Sequence, residues 1–449
     1  MAGWLLAMAV MAAGAAVAAA PGGEGANLAA TSRFPLRVAG TQLLDAQGRE
    51  FRMIGDAAWM LMVALTTDEA DAYLASRQAA GFNTILVELI ERQRLGPRNR
   101  NGDRPFPEGR PFTAPSDDYF RQVRAMLDLA LKRGFLVVLA PAYLGYDCGR
   151  NGWCNQMLAT PDATLEEYGR YVATQLAGYP NLVWVHGGDV DADAHRVMAK
   201  VEAVQRGIEA VLPEALHTAH CSRNLSAIDC YDRPWLDLNT TYSDCEHTAA
   251  RVALDRARVR TMPSFYLEGR YEGEGATPLC IRSQLWWSLL GGSTGHVFGN
   301  KRIWQFEPDW RDALDSAGTR AMTVASRLLQ HLQAGDAMPV PPAARPLLDI
   351  NRWASAWARL GPSSESLSLA WATLMDRVAL PAVAEVGTAV IAYLPYATQF
   401  RYRSDAAVRC WIDPRSGAVM PVDAGVVASQ SPDQRDWLFV AEAAKQLCN

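Results

Sequence analysis

The sequence contains no block of basic residues. Its 449 residues carry 43 Lys and Arg against 48 Asp and Glu, a net charge of −5. Nothing in that pattern offers a surface for nucleic acid. Beyond residue 20 no apolar stretch is long enough to cross a bilayer. Cys-x-x-Cys and His-Glu-x-x-His are both missing, which removes the common closely spaced zinc sites and the zinc-protease helix. No Gly-rich loop follows the first predicted strand, as a dinucleotide fold requires, and no repeat of solenoid length occurs. What remains is an ordinary globular composition, 49% hydrophobic and 20% charged. It is enough chain for a large domain and a smaller one, and it implies no metal or organic cofactor.

The N-terminus, MAGWLLAMAVMAAGAAVAAAPGGEGA, passes from apolar to small residues and then into Pro and Gly. Residues 1–20 thus read as a signal peptide cleaved near Ala19 or Ala20, although no Lys or Arg precedes the apolar run. An uncleaved anchor is the alternative. Eight cysteines agree with a secreted or periplasmic protein. Cys148 lies close to Cys154, and Cys221 to Cys230. We expect Cys245 to pair with Cys280 and Cys410 with Cys448, although spacing alone does not decide connectivity.

From residue 34 onward apolar, β-rich runs alternate with amphipathic helical stretches. REFRMIGD, FNTILVEL, FLVVLAPAY, NLVWVHGGD, ALHTAHC, WLDLNTTYS, TMPSFYLEG and STGHVFGN make eight short strands. Continuous apolar runs suit parallel strands buried on both faces, and eight such units close into a (β/α)8 TIM barrel over 34–335. A doubly wound open sheet is the competing arrangement. The Pro-rich QAGDAMPVPPAARP reads as a seam. After it, residues 345–449 are rich in short strands and Gly, Pro and Asp turns, the pattern of a small antiparallel β-sandwich.

Chemistry in such a barrel sits at the C-terminal ends of its strands. The first strand ends at Asp56, with Trp59 just beyond, and the second carries Glu88 and Glu91. The fourth ends at Asp189, the fifth near His220, the sixth near Tyr242 and Asp244, and the seventh at Glu268, followed by Tyr271 and Glu272. The eighth brings His296 and then Trp304. Asp189 follows two glycines and Glu268 precedes one, so both carboxylates can stand at a rim. Strands four and seven face one another across a barrel mouth. Two carboxylates there can act as nucleophile and acid/base of a retaining glycosidase if about 5–5.5 Å apart, or of an inverting one if farther. Acids after strands are often only helix caps, which is our reading of Asp191 and Asp193. Of Glu268 and Glu272, the former ends the strand and so sits on the more rigid element.

Fourteen tryptophans are available to stack on sugars. Trp59 and Trp304 fall in loops after strand ends, whereas Trp286 and Trp287 lie in a helix and read as core. GGSTG fits a serine-hydrolase pattern around Ser293, but a helix rather than a strand precedes it. HTAH spaces His217 and His220 three apart on a strand, which sends them to opposite faces.

These residues carry a family likeness. FRMIGDAAWMLMVALTTDEADAYLASRQAAGFNTILVEL resembles the opening of the apiosidase-like glycoside hydrolases. NGDRPF, LVWVHGGD, YLEGRYEG and GGSTGHVFGNKRIWQF are similar to later motifs of that family, and IAYLPYA and WIDPRSGAVMPVD to the β domain that usually follows its barrel. The resemblance implies a hydrolase of a polysaccharide or oligosaccharide, with Asp189 as acid/base and Glu268 as its partner. Asp56, Trp59, His220, Tyr242, Tyr271, Glu272, His296 and Trp304 are the expected substrate contacts. A non-catalytic sugar-binding barrel and an esterase using Ser293 are the alternatives. The sequence departs from the family pattern at Ala57, His186 and Gly269, all expected near the mouth.

Overall fold

Several barrel helices begin where a side chain satisfies one of the first free backbone N–H groups. Helix α1 (Thr67–Ala79) is opened by Thr66, whose hydroxyl accepts from the Glu69 N–H while Glu69 reaches back, a capping box. It stops at Gly81, whose φ of +86° favours glycine. Ser116 caps α2 (Asp117–Lys132), its hydroxyl accepting from the Tyr119 N–H. The expected single helix over 310–332 is divided, because Ser316 accepts from the Thr319 N–H and starts a new one after a short 3-10 turn.

The computed structural model describes residues 32–92, 98–191 and 196–331. In the C-terminal part it describes 337–339, 348–350, 382–386, 389–396, 399–402, 408–423, 428–442 and 447–448. The signal-peptide reading, most of the Pro-rich seam and Asp193 lie outside these residues.

Eight parallel strands form the barrel: β1 (Met53–Ala57), β2 (Thr84–Glu88), β3 (Leu136–Ala140), β4 (Leu182–Gly187), β5 (Leu216–His220), β6 (Asn239–Tyr242), β7 (Ser264–Glu268) and β8 (Gly295–Phe298). The hydrogen-bonded order is β5-β4-β3-β2-β1-β8-β7-β6. At the β5/β6 seam, side chains help join the strands: Thr218 Oγ1 donates to the Leu238 carbonyl at 2.7 Å and Thr240 Oγ1 to that of Ala219 at 2.5 Å. The result is a nearly closed (β/α)8 barrel. Between the strands run α1, α2, α3 (Asp162–Leu176), α4 (Met198–Glu209), α5 (Thr248–Arg256), α6 (Pro278–Gly291) and α7 (Ala317–His331).

Alternate strand residues enter two apolar layers. Met53, Leu86, Val138, Val185, Phe265 and Val297 fill the barrel interior. Ile54, Ile85, Val137, Trp184 and Phe298 face the helices. This two-sided burial is why the strands read as unbroken apolar runs.

Helix α6 is buried nearly all round, including Trp286 and Trp287, because it is covered on a second side by the C-terminal domain. There β9 (Ala382–Val386), β10 (Ala389–Leu394), β11 (Val408–Ile412) and β12 (Trp437–Glu442) belong to a six-stranded antiparallel sheet, and a three-stranded antiparallel sheet accompanies it. Ile391 and Tyr393 join the main core on the α6 side. Trp411, Trp437 and Phe439 pack on the other face. Arg282 of α6 donates to both oxygens of Asp436, at 2.6 and 2.8 Å. Four disulfides join Cys148–Cys154, Cys221–Cys230, Cys245–Cys280 and Cys410–Cys448, the pairs expected from the sequence. No helix among the described residues is long and apolar enough to cross a membrane.

Candidate active site

A cavity of about 240 Å³ opens where the strands end. Glu268 reaches it through a local irregularity. In the β6/β7 ladder Thr241 pairs with Tyr266, but Tyr242 pairs with Glu268, so Leu267 is an extra residue. Such a bulge re-aims the side chain that follows it. Leu267 stays in the barrel interior, and Glu268 lines the cavity beside Tyr242.

Glu268 Oε2 lies 2.5 Å from Nε2 of His220, the last residue of β5. The other ring nitrogen, Nδ1, is 2.9 Å from the Cys221 carbonyl. A carbonyl only accepts, so Nδ1 carries a proton, and the ring is set to donate from both nitrogens as an imidazolium. Burial opposes that charge. The hydrogen bond and charge of Glu268, with the charge of Asp189, outweigh it and raise the His220 pKa above its ordinary value.

Asp189 follows β4 and is 9% exposed. Gly187 has φ +86°, and a Cβ there would come within 2.5 Å of the His220 carbonyl. The tight turn and the close approach of β5 both need glycine. The Asp189 pKa is raised, first by burial and then by the Glu268 charge, against the opposing charges of His220 and Arg223. Tyr242 donates to Asp189 Oδ2 at 3.2 Å and accepts from Arg223 Nε and Nη2 at 3.2 and 3.1 Å.

Aromatic rings wall the cavity. Trp59 Nε1 donates to the Tyr271 hydroxyl at 2.8 Å. The Trp59 ring lies 5.1 Å from Tyr143 and 5.9 Å from His220, centroid to centroid. Trp304 is also on the wall, its Nε1 donating to Glu274 at 2.8 Å.

Three expected contacts lie elsewhere. Asp56 points outward, like Ile54, into the helix layer. Its Oδ2 accepts from Tyr73 and from Arg77 Nε, both at 2.6 Å. His296 faces outward too, stacked 4.9 Å from Tyr266 and within 2.9 Å of the Ser288 hydroxyl. Burial lowers its pKa to about 3. Glu272 accepts from Asn300 Nδ2 at 2.9 Å and from the Gly318 N–H at 3.0 Å, tying loops together outside the cavity lining. Ser293 precedes β8 and so lies at the opposite end of the barrel from Glu268. His217 and His220 do take opposite faces. His217 Nδ1 is 2.9 Å from Nε2 of the outward-facing His186, which therefore stands behind the mouth rather than in it.

The cavity also takes Glu88, Glu91, Tyr143, Arg223 and Arg270. Glu88 and Glu91 were visible as strand-end acids, but no motif marks them. Arg223 arrives on the loop closed by Cys221–Cys230, which only tertiary structure brings over the barrel. Among the described residues, Asp244, Glu246 and His247 are grouped closely enough to hold a metal ion. Asp244 is already engaged by Arg270 at 2.8 Å, which disfavours a cation there.

An eight-stranded barrel with an acid-lined, aromatic-walled cavity at its strand ends has the architecture of the barrel glycoside hydrolases. The chain belongs to the apiosidase-like family, whose catalytic-domain model matches residues 38–335. It is thus a glycoside hydrolase acting on carbohydrate. Two solved structures share its fold. One is a glycoside hydrolase at 20% identity and TM-score 0.74, covering 93% of this chain and 98% of its own. The other is a family 5 glycoside hydrolase from Bacteroides vulgatus at 18% identity and TM-score 0.74, covering 93% and 97%. No curated protein matches the sequence.

Proposed function

We propose that the chain is an exported retaining glycosidase of a poly- or oligosaccharide, with Glu268 as nucleophile and Asp189 as acid/base. One observation carries this reading: two carboxylates from opposite strands line one cavity in opposite electrostatic settings. Glu268 is paired with His220, whose pKa is raised. Asp189 is desolvated and its pKa raised. A desolvated carboxyl whose pKa is raised is suited to donate a proton, which leaves the other acid for the nucleophilic role.

Glu268 attacks the anomeric carbon while Asp189 protonates the departing oxygen. The glycosyl–Glu268 ester is then hydrolysed by a water that gives its proton to Asp189. His220 orients the Glu268 carboxylate, and Tyr242 orients Asp189. Trp59, Tyr271 and Trp304 offer ring faces to the sugar. The four disulfides support an oxidising destination, secreted or periplasmic.

The test is release of reducing ends from a panel of plant and bacterial polysaccharides, followed by NMR of the first anomer formed. Retention supports the double displacement, and inversion replaces it with a single one. A Glu268→Gln variant that loses turnover but keeps binding indicates an enzyme. A wild-type chain that binds glycans and cleaves none is a sugar-binding module.

A further inference from the structure

Glu88 is a buried acid to which the mechanism above gives no task. It ends β2, shares the inward face with Leu86, and is 6% exposed. It lines the cavity along with Trp59, Tyr143 and Glu268. Its Oε2 is buried and has no hydrogen-bond partner among the described residues. Leaving such a group unpaired disfavours the folded state.

We propose that Glu88 is a specificity-determining residue of this site, its Oε2 pairing with a hydroxyl of the sugar bound at the cleavage point. The proposal rests on the glycosidase reading and adds to it a recognition element independent of the two catalytic carboxylates. Position supports it, since β2 delivers the carboxyl to the cavity from a rigid strand. Chemistry supports it as well. Burial, then the charges of Glu91 and Glu268, push the Glu88 pKa well above the usual carboxylate range. The imidazolium of His220 is spent on Glu268, and Arg223 is bound to Tyr242. Burial thus favours the protonated form of Glu88, which has one donor and spare acceptor capacity and complements a sugar hydroxyl. A substrate lacking that hydroxyl leaves the buried group unpaired, and this kind of mismatch discriminates strongly.

The experiment compares wild type, Glu88→Gln, Glu88→Leu and Glu88→Met. The probe is whichever of arabinan, galactan, xylan, mannan and rhamnogalacturonan the wild type cleaves fastest. Glu88→Leu is expected to lower kcat/KM by about 10²-fold or more while melting at or above the wild-type temperature, because an unpaired polar group is gone. Glu88→Gln, which keeps a donor and an acceptor, should recover to within about tenfold of wild type. Glu88→Met provides the same readout should the leucine variant misfold. Leucine or methionine variants that turn over as fast as wild type overturn the proposal. So does a loss of activity that glutamine shares and that follows a lowered melting temperature. In both cases the glycosidase reading survives, because the wild type still cleaves. A wild type inactive on all five glycans removes both.

Discussion

His220 and Glu268, 48 residues apart in sequence, meet at 2.5 Å across the barrel mouth, and the second ring nitrogen of His220 is engaged by the Cys221 carbonyl. This arrangement raises the His220 pKa and so favours a cation held against one oxygen of the proposed nucleophile. Replacing His220 by Asn removes the charge but leaves a donor. We expect kcat to fall by about 10²-fold, with KM nearly unchanged. A loss confined to KM, measured on the same substrate, would assign His220 to binding alone.

The raised Asp189 pKa gives the activity profile its alkaline limb. As general acid Asp189 must be protonated, so turnover falls as pH rises through its pKa. Removing the Glu268 charge removes one of the influences that raise Asp189. In Glu268→Gln, at pH values where imidazole NMR shows His220 still protonated, the Asp189 carboxyl should therefore titrate at lower pH, as read by carboxyl-carbon NMR. An upward shift would contradict the coupling.

Asp189→Ala should separate the two half-reactions. Loss of acid/base assistance costs about 10²–10⁴-fold on a poor leaving group. Aryl glycosides that leave without protonation should suffer less at the first step, and added azide should restore turnover as a glycosyl azide. Equal loss on both kinds of substrate would argue against Asp189 as the acid.

Asp56 and Arg77 form an ion pair with both side chains fully buried. Arg77→Met strands the carboxylate and should destabilise the fold by about 3–5 kcal/mol, seen as a lower urea midpoint. Asp56→Asn should lower stability too, with KM for the glycan unchanged. A rise in KM without a loss of stability would return Asp56 to the substrate.

The buried pair His186 and His217 predicts how stability depends on pH. Burial lowers both pKa values, that of His217 to about 4. The unfolded chain, with ordinary histidines near 6.5, then binds more protons than the folded one as pH drops below that value. Stability from the pair is fully present above pH about 6.5 and is lost progressively toward pH about 4. A double His186→Leu, His217→Leu variant should show a flatter melting temperature over that window. An unchanged slope would rule the pair out as the acid-sensitive element.

Much of the fold was legible because its signals are local. Thr66 and Ser116 announce helix starts through their own hydroxyls, and Gly81 announces a stop through its φ. The eight apolar runs show two-sided burial by lacking alternation. That same feature hid which strand residues face inward. Asp56 and His296 looked like mouth residues because a strand apolar on both faces gives no parity signal, and only the observed register assigns them to the helix layer. Glu272 looked like a rival of Glu268 because both acids lie within a few residues of the strand end. Arg223 carried no signal, since nothing local distinguishes a loop residue that closes over a cavity, whereas Tyr143 ended the predicted strand FLVVLAPAY without being singled out.

The sequence by itself determined an eightfold strand–helix rhythm, a family, and two acids at strand ends, because periodicity, capping and motif spacing are written in neighbouring residues. Tertiary structure decided which acids share a cavity, which histidine becomes a cation, and which carboxyl is left unpaired. Those properties depend on burial and on charges a few ångströms away in space, contributed by strands far apart along the chain.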